Sequence, residues 1–227
     1  MKERSLLPIE AHPSLTLEAL LQEAHRFAVQ ESQHHDLTLF GVTDGKAVGT
    51  YLEHKFRRYL QERYEFVAGN SAAGIDFPGL LVDFKATSVR QPQSSCPFKS
   101  ARQKVYGLGY SLLVFAYEKI DEPTQSTGNL LIRHVVFVDK EHTADFQTTI
   151  GLQHILANHG NEDDIVAFLI ERMLPLDDIQ AVALAQEILL NPPEVGHLTI
   201  SNALQWRLQY SRAIEKAGTV EGVIRVK

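Results

Sequence analysis

Two acids and a lysine, Asp76, Asp83 and Lys85, stand close together in the stretch Gly74-Ile75-Asp76-Phe77-Pro78-Gly79-Leu80-Leu81-Val82-Asp83-Phe84-Lys85-Ala86-Thr87. Carboxylates brought together repel each other, and a hard divalent cation such as Mg2+ relieves that repulsion by taking oxygen ligands. A lysine beside them cannot ligate the cation, but it can position or help activate a water and stabilise charge developing on a phosphorane. Without such convergence the same residues would form a polar edge strand, with Asp83 and Lys85 facing solvent.

The backbone around these residues favours convergence. From Leu80 to Thr87 the pattern is apolar and β-branched apart from Asp83 and Lys85, with a period of two at the end. Val82, Phe84 and Ala86 share one face of a strand, and Asp83, Lys85 and Thr87 share the other with Leu81. Pro78-Gly79 marks a tight turn, which places Asp76 on the arm entering the strand. The order is Asp, six residues, Asp, one residue, Lys.

This arrangement resembles the PD-(D/E)XK nuclease superfamily, which includes many type II restriction endonucleases. The resemblance covers about residues 44 to 118. Ile75 stands where the Pro of the family name would, and Asp83 fills the second acid position. The resemblance implies a restriction-endonuclease-like αβββαβ core, mixed α/β (α+β), with a central mixed sheet flanked by helices. It implies Mg2+ as cofactor, with Mn2+ able to substitute, and double-stranded DNA as substrate. A glutamate on the preceding helix often completes such a metal site. The helix expected from about Asp44 to Arg63 carries Val48, Leu52, Phe56, Tyr59 and Leu60 on one stripe, and Glu53 falls at the stripe's edge. Glu53 is therefore the candidate third acid, with Glu62 on the other edge as the second choice. Asp76, Asp83 and Glu53 would hold the metal, and Lys85 would complete the catalytic set.

The 227 residues, 44% of them hydrophobic, suffice for one globular core, so a single domain is expected: a nuclease core over about 44–140 and a helical part over about 141–227 that is a candidate for DNA contact. No run of 18 apolar residues and no signal peptide is visible, and the single Cys excludes an internal disulfide. A soluble, intracellular (cytoplasmic) protein is expected, with no membrane partner.

The formal charge of −6 opposes binding to a polyanion, but its distribution favours it. Between Phe84 and Tyr117 the basic residues Lys85, Arg90, Lys99, Arg102 and Lys104 meet no acid, whereas Asn161 to Gln186 is strongly acidic and is expected to be a solvated outer face. Residues 88 to 99 form a donor-rich loop, from which Arg90, Gln91, Gln93, Ser95 and Lys99 are candidate contacts to phosphates or base edges. Arg102, Gln103 and Lys104 follow on a helix expected from Ser100 to about Leu108, and Tyr110 to Tyr117 reads as a buried central strand. The order strand, helix, strand implies a right-handed crossover.

Residues 14 to 32 read as an amphipathic helix with Ser14 as an N-cap option, and residues 68 to 73 as a small-residue turn suited to close approach. Leu130 to Asp139 reads as a strand pair or edge strand, and 141 to 190 as three helices broken at Asn158-His159-Gly160 and Pro175. The tail is expected to hold a helix over 202–214, offering Gln205, Arg207 and Arg212 to a partner, and then a short strand from Gly222 to Val226. Cutting both strands of a symmetric site would suit a homodimer. Two readings from different classes remain: a Mg2+-dependent endonuclease, of the restriction kind or of a repair or junction-resolving kind, and a non-catalytic DNA-binding regulator.

Overall fold

The computed structural model describes residues 12–69, 74–96, 99–201 and 206–227. The chain runs α1 (Leu17–Glu31), β1 (His35–Asp36), α2 (Gly45–Gln61), β2 (Val82–Ser88), β3 (Gln93–Cys96), α3 (Arg102–Tyr106), β4 (Ser111–Glu122) and β5 (Thr127–Val138). It continues with α4 (Phe146–Ala157), α5 (Glu162–Glu171), α6 (Asp178–Leu190), β6 (Thr199–Ile200), β7 (Trp206–Gln209), α7 (Ser211–Lys216) and β8 (Val223–Arg225). The class is the mixed α/β one expected. Between α2 and α3 the described residues hold two strands, β2 and β3, instead of three, and β3 belongs to a second sheet.

The main sheet has the order β1-β5-β4-β2, with β8 also on β5. β2 lies parallel to β4, as the crossover order requires, while β4 pairs antiparallel with β5. β4 runs through Glu122, so the polar turn narrows to residues 123–126, and β5 is one continuous strand inside the sheet. No helix among the described residues is long and apolar enough to cross a membrane.

Local chemistry explains where the helices begin. Asp44 caps α2 by accepting from the Lys46 amide, and Asn161 and Asp177 form reciprocal capping boxes at α5 and α6. Thr16, not Ser14, caps α1, because Ser14 forms a bridge with Glu65. The buried Asp145 caps α4 with Oδ1, and its Oδ2 accepts from the Ile200 amide at 2.8 Å, fastening β6 to that helix.

The largest departure from the sequence reading is in the tail. Trp206–Gln209 is a strand, pairing antiparallel with β3 on one side and β6 on the other. Two neighbouring strands satisfy its amides and carbonyls, and this tertiary pairing overrides a helical residue pattern that had no partner of its own. Of the helix expected over 202–214, residues 202–205 lie outside those described and helix begins only at Ser211; the final strand falls where expected.

The core that carries β2 is aromatic. α2 buries Val48, Leu52, Phe56 and Leu60, and Phe56 meets Phe27, Phe84 and Phe115 at centroid distances of 5.0, 5.6 and 5.4 Å. Val82 and Phe84 join this cluster. On the other face of the sheet, Leu112 and Val114 pack with Cys96, Tyr110, Leu208 and Tyr210 beneath the β3-β7-β6 sheet. The site strand is thereby wedged between two cores.

Candidate active site

β2 presents its polar residues to that second core. Asp83 lies beside Leu112 and Lys85 beside Val114 in the parallel pair, so both acid and amine face the space between the two sheets. Asp83 is only 3% exposed, and Lys85 Nζ sits 2.7 Å from its Oδ2. The solvent-facing edge strand is thereby excluded.

Asp76 arrives by the expected bend. Phe77 and Val82 exchange backbone hydrogen bonds of 2.9 and 3.2 Å across the turn at residues 78–80, which closes with Leu81 in the left-handed region at φ 52°. The Asp76 Oδ2 accepts from the Phe84 amide at 2.9 Å, and its carboxylate lies within hydrogen-bonding reach of Asp83. Gly69 donates to the Asp76 carbonyl, and a Cβ on Gly69 would fall 1.8 Å from the Ile75 oxygen. The close approach expected of this small-residue stretch is made by the protein's own chain; residues 70–73 lie outside those described.

Burial is the main force on Asp83. It pushes the carboxyl up to about 7; Asp76 adds to the rise, and the Lys85 ammonium opposes it. Glu53 is also raised, first by burial and then by the charge of Asp76. The helix glutamate therefore belongs to the same electrostatic site, whereas Glu62 caps the exposed end of α2 and pairs with Arg63.

One residue of the site was missed from the sequence. Arg57 Nη2 lies 2.7 Å from Glu53 Oε1 and 2.9 Å from Asp76 Oδ1, bridging the two acids. The signal available was its position four residues after Glu53 on a helix, where oppositely charged side chains meet. With Arg57 between Glu53 and Asp76, no three acidic, histidine or cysteine side chains among the described residues are grouped to hold a metal. Asp76 and Asp83 do converge, and a pair of hard oxygen donors, one buried and one half-buried, is the chemistry that a divalent cation such as Mg2+ fits.

The expected DNA contacts separate into two groups. Arg90, Gln91, Ser95, Lys99 and Arg207 are exposed and Gln93 is half-buried. Gln103 and Lys104 are buried, at 7% and 4% exposure, and Gln103 Oε1 accepts from the Lys99 amide. Arg102 forms a two-pronged pair with Glu187, and Arg212 lays its guanidinium over Phe146. α3 is a short helix whose inner face packs on α4, which turns Gln103 and Lys104 inwards while Lys99 and Arg102 stay exposed. Gln205 lies outside the described residues.

A family model described as type II restriction enzyme NspV matches residues 14–225. Type II restriction enzyme NspV of Nostoc sp. (strain ATCC 29411 / PCC 7524) is 64% identical over 212 residues, covering 93% of this chain and 96% of that protein. No solved structure matches the chain.

Proposed function

The chain belongs to the type II restriction enzyme NspV family and is an endodeoxyribonuclease of that kind, and from this premise we propose that Asp76, Asp83, Glu53 and Lys85 form a Mg2+-dependent site that hydrolyses phosphodiester bonds. The observation that carries the assignment is the buried Asp83 beside Asp76, with Lys85 Nζ at 2.7 Å. The Lys85 ammonium offsets the burial of Asp83 only in part, since its carboxyl still stands raised to about 7, and a divalent cation would offset the rest.

Asp76 and Asp83 would hold Mg2+, or Mn2+ in its place, with Glu53 joining them once Arg57 releases it. The cation would act as a Lewis acid on the scissile phosphate. Asp83 must first give up the proton that burial helps it keep. Lys85, fixed by its ion pair with Asp83, is placed to orient a water or to donate to a developing anionic oxygen. Thr87 holds the loop that leads from this strand to β3: its Oγ1 accepts from the Gln93 amide at 2.9 Å. The reacting site, the exposed donors Arg90, Gln91, Ser95, Lys99 and Arg207 and the half-buried Gln93 thus share one framework for double-stranded DNA.

We further propose that the whole chain forms one nuclease domain, that it works in the cytoplasm, and that two copies pair so that their two sites meet the two strands of a symmetric sequence. Incubation of supercoiled plasmid with the protein and Mg2+ tests the assignment. Discrete fragments, abolished by EDTA, are expected. Indiscriminate or branch-dependent cutting would instead indicate a repair or junction-resolving nuclease, and a gel shift with no cutting would indicate a regulator.

A further inference from the structure

The small sheet of β3, β7 and β6 has one face spoken for and one face open. Cys96, Leu208 and Ile200 point into the second core and are 3%, 0% and 3% exposed. Alternation along the strands then puts Gln93 and Ser95 of β3, Arg207 and Gln209 of β7, and Thr199 of β6 on the opposite face. The register brings these into contact range across the strands: Ser95 lies opposite Arg207, and Gln209 lies between Gln93 and Thr199.

We propose that this face reads base edges in the major groove, with Arg207 and Gln209 on the middle strand as the specificity-determining residues; the inference rests on the chain being a nuclease that acts on double-stranded DNA. Four observations carry it. All five side chains are hydrogen-bonding types, and none is engaged in a hydrogen bond or ion pair among the described residues. No Asp or Glu stands on any of the three strands, so nothing on them repels a phosphate backbone.

The dimensions also fit. Strands about 4.8 Å apart, with same-face residues about 7 Å apart along each, give a patch about 10 Å across. The major groove is about 12 Å wide and admits a β-ribbon, and arginine and glutamine have the donor geometry for guanine and adenine edges respectively.

The fourth observation is the rigid link to the reacting residues. Thr87 Oγ1 accepts from the Gln93 amide, and Tyr210, next to Gln209, donates its amide to the Pro92 carbonyl at 2.8 Å. Ser94 and Tyr210 join through their hydroxyls beneath the sheet. A base contact made on the outer face is therefore referred directly to the strand that carries Asp83 and Lys85. Side chains mounted on paired strands hold position better than those on a loop, as discrimination between bases requires.

The test begins with wild-type protein and a randomised plasmid library in Mg2+, which defines the cut sequence. Arg207→Ala and Gln209→Ala are then compared with wild type for binding to a duplex carrying that sequence and to one lacking it, with Ca2+ replacing Mg2+. Each variant is expected to lose on the order of 5- to 150-fold in affinity for the specific duplex, with little change for the other. Each should also cut library members altered at one symmetric pair of positions. Because both side chains are exposed, the melting temperatures should match wild type, which keeps the comparison interpretable. Equal losses on both duplexes would make these residues phosphate contacts and overturn the proposal, as would unchanged binding and an unchanged cut sequence. Failure of the wild-type protein to cut any library member would instead overturn the nuclease reading itself.

Discussion

Replacing Asp83 with Asn should make the metal-free protein more stable at alkaline pH, in proportion to the cost of ionising Asp83 inside the fold. Its folded carboxyl is raised from 3.8 to about 7. A raised acid binds its proton more tightly in the folded state than in the unfolded one. Stability from this group is therefore greatest below the unfolded value, declines as pH rises towards about 7, and is flat above. At 1.36 kcal/mol per pKa unit the full difference is roughly 4 kcal/mol. The neutral amide removes that penalty while keeping a hydrogen-bonding group of the same size, at the expense of the partner of Lys85. A net gain of about 2–4 kcal/mol above pH 8 corresponds to roughly 5–15 °C in Tm for a chain of this length. Thermal unfolding of both proteins in EDTA, followed by circular dichroism from pH 4 to pH 9, reads it directly. The difference in Tm should open between pH 4 and 7 and then level off. A pH-independent difference, or a variant less stable than wild type at pH 8, would refute the claim that Asp83 is held charged against its burial.

Further outcomes follow from the same geometry. Lys85→Ala should slow cleavage by at least about 100-fold while leaving Mg2+ affinity by calorimetry within a few-fold, because an ammonium positions water or charge but ligates nothing; a lost heat of binding would reverse the roles. Arg57→Ala should tighten Mn2+ binding to the DNA-free protein by about tenfold, since a cation is removed from between Glu53 and Asp76; weaker binding would show that Arg57 organises the acids instead of occupying them. Lys99→Ala should flatten the dependence of log K on log salt by about 0.9, the value for one phosphate, and Lys104→Ala should leave the slope unchanged because its ammonium is buried.

The elements around the site were readable because their signals are local. The α2 stripe of Val48, Leu52 and Phe56, the Pro78-Gly79 turn and the alternation through Val82 to Lys85 depend on residues a few positions apart. The family resemblance extended this to Glu53, and the geometry sets that residue beside Asp76. What escaped the sequence depends on distant partners. Leu208 reads equally well on a helix stripe or on a strand, and only pairing with Ser94 and Ile200 decides between them. Lys104 stands in a basic run like a surface residue, yet its backbone carbonyl holds the Asp145 amide and its side chain is buried. Arg57 was visible as a charge on a helix edge, but its contact with Asp76 joins α2 to the arm that enters β2, 19 residues on.

The most direct test of the central claim is the rate of plasmid cleavage by Asp83→Ala in Mg2+, measured beside wild type at equal occupancy of DNA. The wild-type protein should give discrete fragments. The variant should bind the same DNA but cut at least about 1,000-fold more slowly, because one of the two converging carboxylates that would hold the cation is gone. Undiminished cutting by the variant would contradict the assignment of Asp76, Asp83 and Lys85 as the reacting site.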